Sequence, residues 1–225
     1  MIEFHEITGN KEDLELLAHF YHDIYIHQFP DPDERETLDS FRRDLDRKSS
    51  DWFGTNNYHF IIATYHGQPV AGCVSDYMCG PRAGMIEFIA VAPEMRGQGL
   101  GHRLIAHTED LLQRDAKGAL TCILAEINDP TKIMPQQDNM DPTHRLNLWN
   151  KWGYQQLPWT YLQPALSDRQ NSVNYLILLA KQLCADALPD SKYLLSNIMR
   201  WVMRLEDPEN CIEFQTMCRQ LEQSA

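Results

Sequence analysis

The sequence predicts an α/β fold, α+β in its strand order: a mixed sheet of six or seven strands with helices on both faces, followed by a C-terminal helical pair. Three observations predict it. Residues 58–91 hold three consecutive period-2 segments joined by short turns, the pattern of an antiparallel meander. The third segment runs into a glycine-rich turn and an amphipathic helix, and a further apolar strand follows, which makes a helical crossover. From Pro189 onward the apolar stripes have helical spacing.

Each element has its own signal. Ile2–Ile7 alternates apolar with polar residues and suits a half-buried strand. Asn10 caps the helix that follows, with Asp13 three positions on; Leu14, Leu17, Ala18, Tyr21, Ile24 and Tyr25 mark its inner face, and Pro30 stops it. Asp31-Pro32 reads as a cap and first-turn pair, so a second helix is expected from there, with the stripe Leu38, Phe41, Leu45. YHFIIATY, the turn HGQP and VAGCVSDYM form a hairpin, and MIEFIAV at 85–91 is the third strand, ended by Pro93. The crossover helix runs from Gly99 to Lys117 and buries Leu100, Leu104, Ile105, Thr108, Leu111 and Leu112; Gly118 closes it. ALTCILAEI is the next strand, 128–140 is a long polar loop, and Asp141-Pro142 starts a helix that stops at Gly153. YQQLPWTYLQPAL and VNYLILLA are the last two strands, the first restricted by Pro158 and Pro164 to an edge or to broken pairing. In the tail one helix carries Tyr193, Leu194, Leu195, Ile198, Val202 and Leu205. Asp207-Pro208 caps another that carries Cys211, Ile212, Phe214, Met217, Cys218 and Leu221.

The length of 225 residues suits one domain with an appendage, divided at 1–183 and 184–225. No apolar run approaches the ~20 residues of a membrane span and no cationic leader is present, so a soluble, cytoplasmic protein without membrane contact is expected. The six cysteines (Cys73, Cys79, Cys122, Cys184, Cys211, Cys218) are scattered, mostly inside apolar patterns, as free thiols of a reducing compartment are. A formal net charge of −12 argues against nucleic acid as a partner and mildly favours cations. His19, His22 and His27 share a helix but lack a third ligand, and no metal is expected.

The chemistry lies in Arg96-Gly97-Gln98-Gly99-Leu100-Gly101, between a buried strand and a helix. Closely spaced glycines let backbone approach a ligand, the free N–H groups of the first helical turn point outward together, and the helix dipole adds positive potential. A pyrophosphate suits that arrangement. A Walker A loop needs G-K-[ST], whereas His102-Arg103 follows here; the dinucleotide fingerprint needs G-x-G-x-x-G, whereas the spacing here is G-x-G-x-G after a meander.

VAPEMRGQGLGHRLI resembles the acetyl-coenzyme A motif of the GNAT superfamily, V-x-P-x-x-R-G-x-G-x-G, and LWNKWGY at 148–154 is similar to that family's F-Y-x-x-x-G-F segment. The resemblance covers residues 2–180 and leaves the helical tail outside. It implies that MIEFIAV and ILAEIN splay apart in a V and that the pantetheine arm of acetyl-CoA lies between them. The backbone of Ile89, Ala90 and Val91 would pair with that arm and Trp149 would line it. Arg96, Gly97, Gln98, Gly99, Leu100 and Gly101 would hold the pyrophosphate.

Transfer to an amine needs a base. Glu126 and Glu87 each interrupt an apolar strand at the splay, and alternation puts Glu87 on the face of Ile89 and Val91. Glu126 stands in a segment similar to the L-E-V-R of ribosomal-protein acetyltransferases, whose glutamate is the proposed base, while several small-amine enzymes have a glutamate where Glu87 stands. The family's acid is a tyrosine at the position of Trp149, which cannot donate a proton to a thiolate; Tyr161, Tyr154 or water would substitute. His144 and the segment Asp31–Glu34 are candidates for acceptor contact, whereas Cys122 is expected to be packing.

The expected function is transfer of an acetyl group from acetyl-CoA to a primary amine of a small molecule, by direct attack in a ternary complex. A noncatalytic acyl-CoA sensor and acetylation of a protein N-terminus or lysine are the alternatives. The tail is expected to pack on the domain, cover part of the acceptor cleft, or form a homodimer contact.

Overall fold

The computed structural model describes residues 1–133, 138–185 and 188–224; residues 134–137, in the middle of the expected polar loop, and residues 186–187 of the expected extension lie outside them. Its sheet has seven strands in the order β1-β2-β3-β4-β5-β7-β6. These are β1 (Ile2–Glu6), β2 (Asn57–Tyr65), β3 (Gln68–Met78), β4 (Ala83–Val91), β5 (Cys122–Asn128), β6 (Gln155–Gln156) and β7 (Leu176–Gln182). All neighbours are antiparallel except β4 and β5, which are joined by the crossover helix and run parallel.

One face of the sheet carries the crossover helix α3 (Leu100–Asp115) and α4 (Pro142–Lys151), packed through Leu104, Ile105, Leu112 and Trp149. The other carries α1 (Lys11–Phe20) and α2 (Leu38–Ser49) over β2–β4, in a core built on Phe20, Tyr25, Phe41, Phe60 and Phe88. Beside them lie the tail helices α5 (Ser191–Asn197) and α6 (Ile212–Ser224), whose Leu194, Leu195, Ile198, Phe214 and Met217 pack on Met78, Met85, Leu124 and Leu178. The tail therefore packs on the sheet as a third helical layer segment.

Several boundaries differ from expectation for identifiable reasons. Helix α2 begins at Leu38 with Thr37 as its cap, not at Asp31-Pro32. Asp31 and Asp33 are drawn off by partners elsewhere: the Tyr175 hydroxyl donates to Asp31 at 2.6 Å, and Asn171 donates to Asp33 from its backbone and side chain, each at 3.0 Å. Asp31 also accepts the Asp33 N–H at 2.9 Å, but the turn it opens is not continued into a helix. The helix stripe through Tyr25 continues as a π-type turn at Tyr21–Tyr25 and one more turn at Ile26–Gln28. Pro158 and Pro164 leave the expected strand at 154–166 with only Gln155–Gln156 and one bridge between Gln163 and Val173. Asp207-Pro208 opens a short 3-10 turn, and the helix itself starts at Ile212.

Buried polar groups are few, and one makes a pH-dependent joint. His59, 4% exposed, stands 2.7 Å from a carboxylate at each ring nitrogen: Glu6 on β1 at Nδ1 and Asp115 at the end of α3 at Nε2. Burial works against its charge, but the bonds to Asp115 and Glu6 outweigh it and hold its pKa above the usual 6.5, while the same pairing holds Glu6 down at about 2. A folded-state pKa above the unfolded one means that this stabilisation is complete below 6.5 and is lost as pH rises through the higher value. Thermal melts across about pH 5 to 9 should therefore show a midpoint that falls on the alkaline side, and His59→Gln should flatten that slope.

Candidate active site

Strands β4 and β5 pair only from Ala83↔Cys122 to Ile86↔Ala125 and then part, as expected. Beyond that point Glu87–Val91 and Glu126–Asn128 border a cavity of about 570 Å³, the size of an ordinary ligand pocket. Its floor at one end is the glycine turn. Gly97 and Gly99 have φ of 73° and 75°, which side-chain-bearing residues rarely adopt, and the turn brings backbone to the cavity wall. Helices α1, α2, α4 and α5 each start under a capping side chain (Asn10, Thr37, Asp141, Asp190), whereas α3 starts at Gly99 with none. Its first-turn amides are left open where the cavity begins, a polarity suited to phosphate oxygens.

Of the residues expected to contact the cofactor, all but one line the cavity. Ile89, Ala90, Val91, Arg96, Gly97, Gly99, Leu100, Gly101 and Trp149 all line the cavity. Gln98 does not line it; its side chain turns back and donates to the Glu94 carbonyl at 3.1 Å. Arg96 spends donors on the carbonyls of Val91 at 3.3 Å and Asn139 at 3.1 Å, and on the Gln28 side chain. It thus ties the strand end to the α1 segment while facing the cavity. Trp149 is buried edge-on between Trp152 and Tyr154, and Trp152, for which no sequence signal stood out, stacks on His102 at 5.8 Å. Leu148, Trp149 and Trp152 form one wall.

At the far end four glutamates line the cavity: Glu34, Glu36, Glu87 and Glu126. Glu126 is half-buried, with one carboxylate oxygen sealed from solvent and without a hydrogen-bond partner. Burial, with help from the charge of Glu34, pushes its pKa up to about 7. Glu34 is likewise pushed up to about 7, by burial and by the repulsion of Asp31, against the opposing bond from Tyr175, and burial raises Glu36. The Tyr161 hydroxyl lies close to Glu126, fully buried and without a hydrogen bond of normal geometry, and its pKa is raised by burial and by that carboxyl. Tyr161 does not line the cavity. Tyr154 is engaged elsewhere, donating to Glu109 at 2.9 Å.

Glu87 departs from the alternation argument. The β3–β4 register passes from Val74↔Phe88 to Ser75↔Ile86, so Glu87 is the extra residue of a β-bulge. The bulge resets the phase: Ile89 and Val91 pack on the α3 side, while Glu87 turns to the opposite side and meets Asp76 and Arg204. Burial first and Asp76 second push its pKa well up. Of the remaining candidates, His144 lines the cavity. Cys122 is buried among apolar side chains with its thiol pushed up to about 11, which makes it packing. Among the described residues no group of three His, Cys, Asp or Glu side chains is placed to hold a metal, and no helix is long and apolar enough to cross a membrane.

A roof closes the acidic end. The segment between the first two helices is clasped to the one before β7: Gln170 Nε2 donates to the carbonyls of Pro32 at 2.6 Å and Arg35 at 2.9 Å, alongside the Asn171–Asp33 and Tyr175–Asp31 bonds. Thr37, not Asp31, being the helix start is what leaves Glu34 and Glu36 on this loop, at the cavity edge. Glu36, Met203 and Arg204 carry no sequence signal of their own for the site, and Val202 reads in the sequence only as part of an apolar helical stripe. The available signal was an imbalance: Asp44, Asp76 and Glu87 all interrupt apolar patterns and need a cation.

No curated protein matches this sequence. Among solved structures, a GNAT-family protein of Bacteroides thetaiotaomicron is similar over 91% of this chain and 99% of its own, with TM-score 0.67 at 21% identity. The ribosomal-protein-S18-alanine N-acetyltransferase of Escherichia coli is similar over 84% of this chain and all of its own, with TM-score 0.53 at 16% identity. The yncA protein of Salmonella typhimurium, solved with acetyl-CoA, is similar over 85% and 99%, with TM-score 0.54 at 16% identity. These likenesses concern the fold. The family model for GNAT acetyltransferases matches residues 18–132, more than half of the sequence and the whole of the glycine turn with its flanking strands, and the chain belongs to that family of acetyl-CoA-dependent enzymes.

Proposed function

We propose that this chain transfers an acetyl group from acetyl-CoA to a primary amine of a small molecule, by direct attack in a ternary complex within the cavity between β4 and β5. The observation that carries this reading is Glu126: a cavity-facing carboxyl at the parting of the strands, with an unpartnered oxygen and a pKa near neutrality. An effective general base has its pKa close to the working pH, so that it is deprotonated yet basic enough to accept a proton.

The open amides at 99–101 and the backbone of 89–91 would hold acetyl-CoA, which supplies an activated acyl carbon. Glu126 takes a proton from the bound ammonium, directly or through water, and the neutral nitrogen forms the C–N bond as the C–S bond breaks. The thiolate leaves and takes up, through water, the second proton that the nitrogen sheds on becoming an amide, since a thiol of pKa about 8.5 departs without a strong acid. Glu34 and Glu36 add negative potential that holds the incoming cation near the carbonyl. A small acceptor is favoured over a protein terminus because the acidic end lies under the clasped loops and the cavity must also take the pantetheine arm.

The buried Trp149, with no acidic group in the family's tyrosine position, favours a second reading as an acyl-CoA sensor. Thiol release in the presence of a panel of primary amines separates the two. Turnover above the rate with acetyl-CoA alone supports the enzyme; coenzyme binding without amine-dependent release supports the sensor.

A further inference from the structure

The C-terminal segment supplies a wall of the cavity that lies outside the family match. Val202 and Met203, at the end of the π-type turn Ile198–Val202 that follows α5, line the acidic end of the cavity. The next residue, Arg204, has φ of 57°, and this turn of the chain sends its side chain inward to 10% exposure. Its guanidinium stands 3.0 Å from Asp76 on β3, 3.3 Å from Asp44 on α2 and 3.5 Å from Glu87 on β4. It lies over the rings of Phe53 and Tyr58 at 5.0 and 5.4 Å, and it donates to the Val202 carbonyl at 3.0 Å. A single side chain thus binds three sheet and helix elements to the backbone of the cavity wall.

The charges in this cluster do not balance by ion pairing alone. Arg47 takes a share of Asp44 at 2.7 Å, which leaves Asp76 and Glu87 against one guanidinium in a buried place. Burial raises both carboxyls, and Asp76 raises Glu87 further, while Arg204 opposes the shift in each. Glu87 is thus engaged with Asp76 and Arg204, while Glu126 across the cavity keeps one oxygen without a partner and has only the Tyr161 hydroxyl beside it. The acceptor end then has two kinds of lining. Glu126, Glu34 and Glu36 offer charge, and Met203, Val202, Phe88, Phe29 and Leu166 offer an apolar surface.

We infer that residues 202–204 select the acceptor: Met203 and Val202 are specificity-determining residues against which an apolar body of the amine lies, and Arg204 is the positioning residue that fixes them. The ligand class is a monoamine carried on an apolar alkyl or aryl group, not a polyamine. The inference rests on the reading of this cavity as an amine-acetylating site.

The test uses the full-length chain with hexylamine, phenethylamine and spermidine as probes, acetyl-CoA as donor, thiol release as readout, and calorimetry for coenzyme affinity. The wild-type chain should prefer the two monoamines over spermidine by roughly tenfold or more in kcat/KM. Met203→Ala should change the phenethylamine-to-hexylamine ratio by roughly tenfold, the scale of a few methylene contacts, with coenzyme affinity held within about twofold. Arg204→Met should raise the amine KM about tenfold without moving the KM for acetyl-CoA, and Arg204→Lys should recover most of that loss. An unmoved ratio in Met203→Ala, or a wild-type preference for spermidine, overturns the proposal while leaving amine acetylation standing. Should Arg204→Met fail to fold, the Met203 arm decides alone. If wild type binds coenzyme A and acetylates none of the probes, this inference and the functional reading fall together.

Discussion

Glu126→Gln should lower turnover roughly 10²- to 10⁴-fold, the range that a positioned general base contributes, while the dissociation constant for coenzyme A stays within about twofold. The glutamine keeps the shape of the side chain and removes only its ability to take a proton. The pH profile gives the sharper test. A base works when deprotonated, so kcat/KM should climb with pH through about 7 and level off above it. The variant should lose that rising limb. Glu34 raises Glu126 by like charge, so Glu34→Gln should lower the Glu126 pKa and move the limb to more acidic pH. An unchanged limb in Glu126→Gln would transfer the base role to another group.

Gly99→Val should weaken coenzyme A binding by about 100-fold or more. Two effects combine. The residue sits at φ 75°, a left-handed conformation that costs an L-residue about 1–2 kcal/mol and a β-branched one more. The side chain would also enter space that is now open at the first turn of α3, where nothing lies within 4 Å of a built Cβ. Gly118→Val is the matched control: it has φ of 79° and equally open surroundings, but stands past the far end of the same helix and away from the cavity. Both variants should lose comparable thermal stability, and only the first should lose coenzyme affinity. Equal affinity losses would mean that strain in the helix, not blockage of the cradle, controls binding.

The elements that position the site were legible because their signals are local. A period of two followed by a G-x-G-x-G turn and a 3.6-period stripe specifies β4, the turn and α3 with little help from the rest of the chain. The acceptor end was less so, since it is assembled from four places distant in sequence. Asp31-Pro32 satisfied every local rule for a helix start yet opens one turn only, in a loop that Tyr175 and Asn171 hold through Asp31 and Asp33 from about 140 residues away, by bonds made only in the folded state. Glu87 was mis-phased because a bulge inserts one residue, and periodicity alone does not reveal where a ladder slips. Arg204 lay in a tail whose apolar stripes indicated packing but not which surface would receive them.

The parting of β4 from β5 after Ile86 opens the sheet between two inner strands and not at its rim. Here main-chain groups at the centre lie unzipped, next to the deepest part of the molecule. Whatever fills the gap binds only the native form and draws the folding equilibrium toward it by mass action. If the acyl donor binds there as proposed, the stability of the folded chain rises with donor concentration.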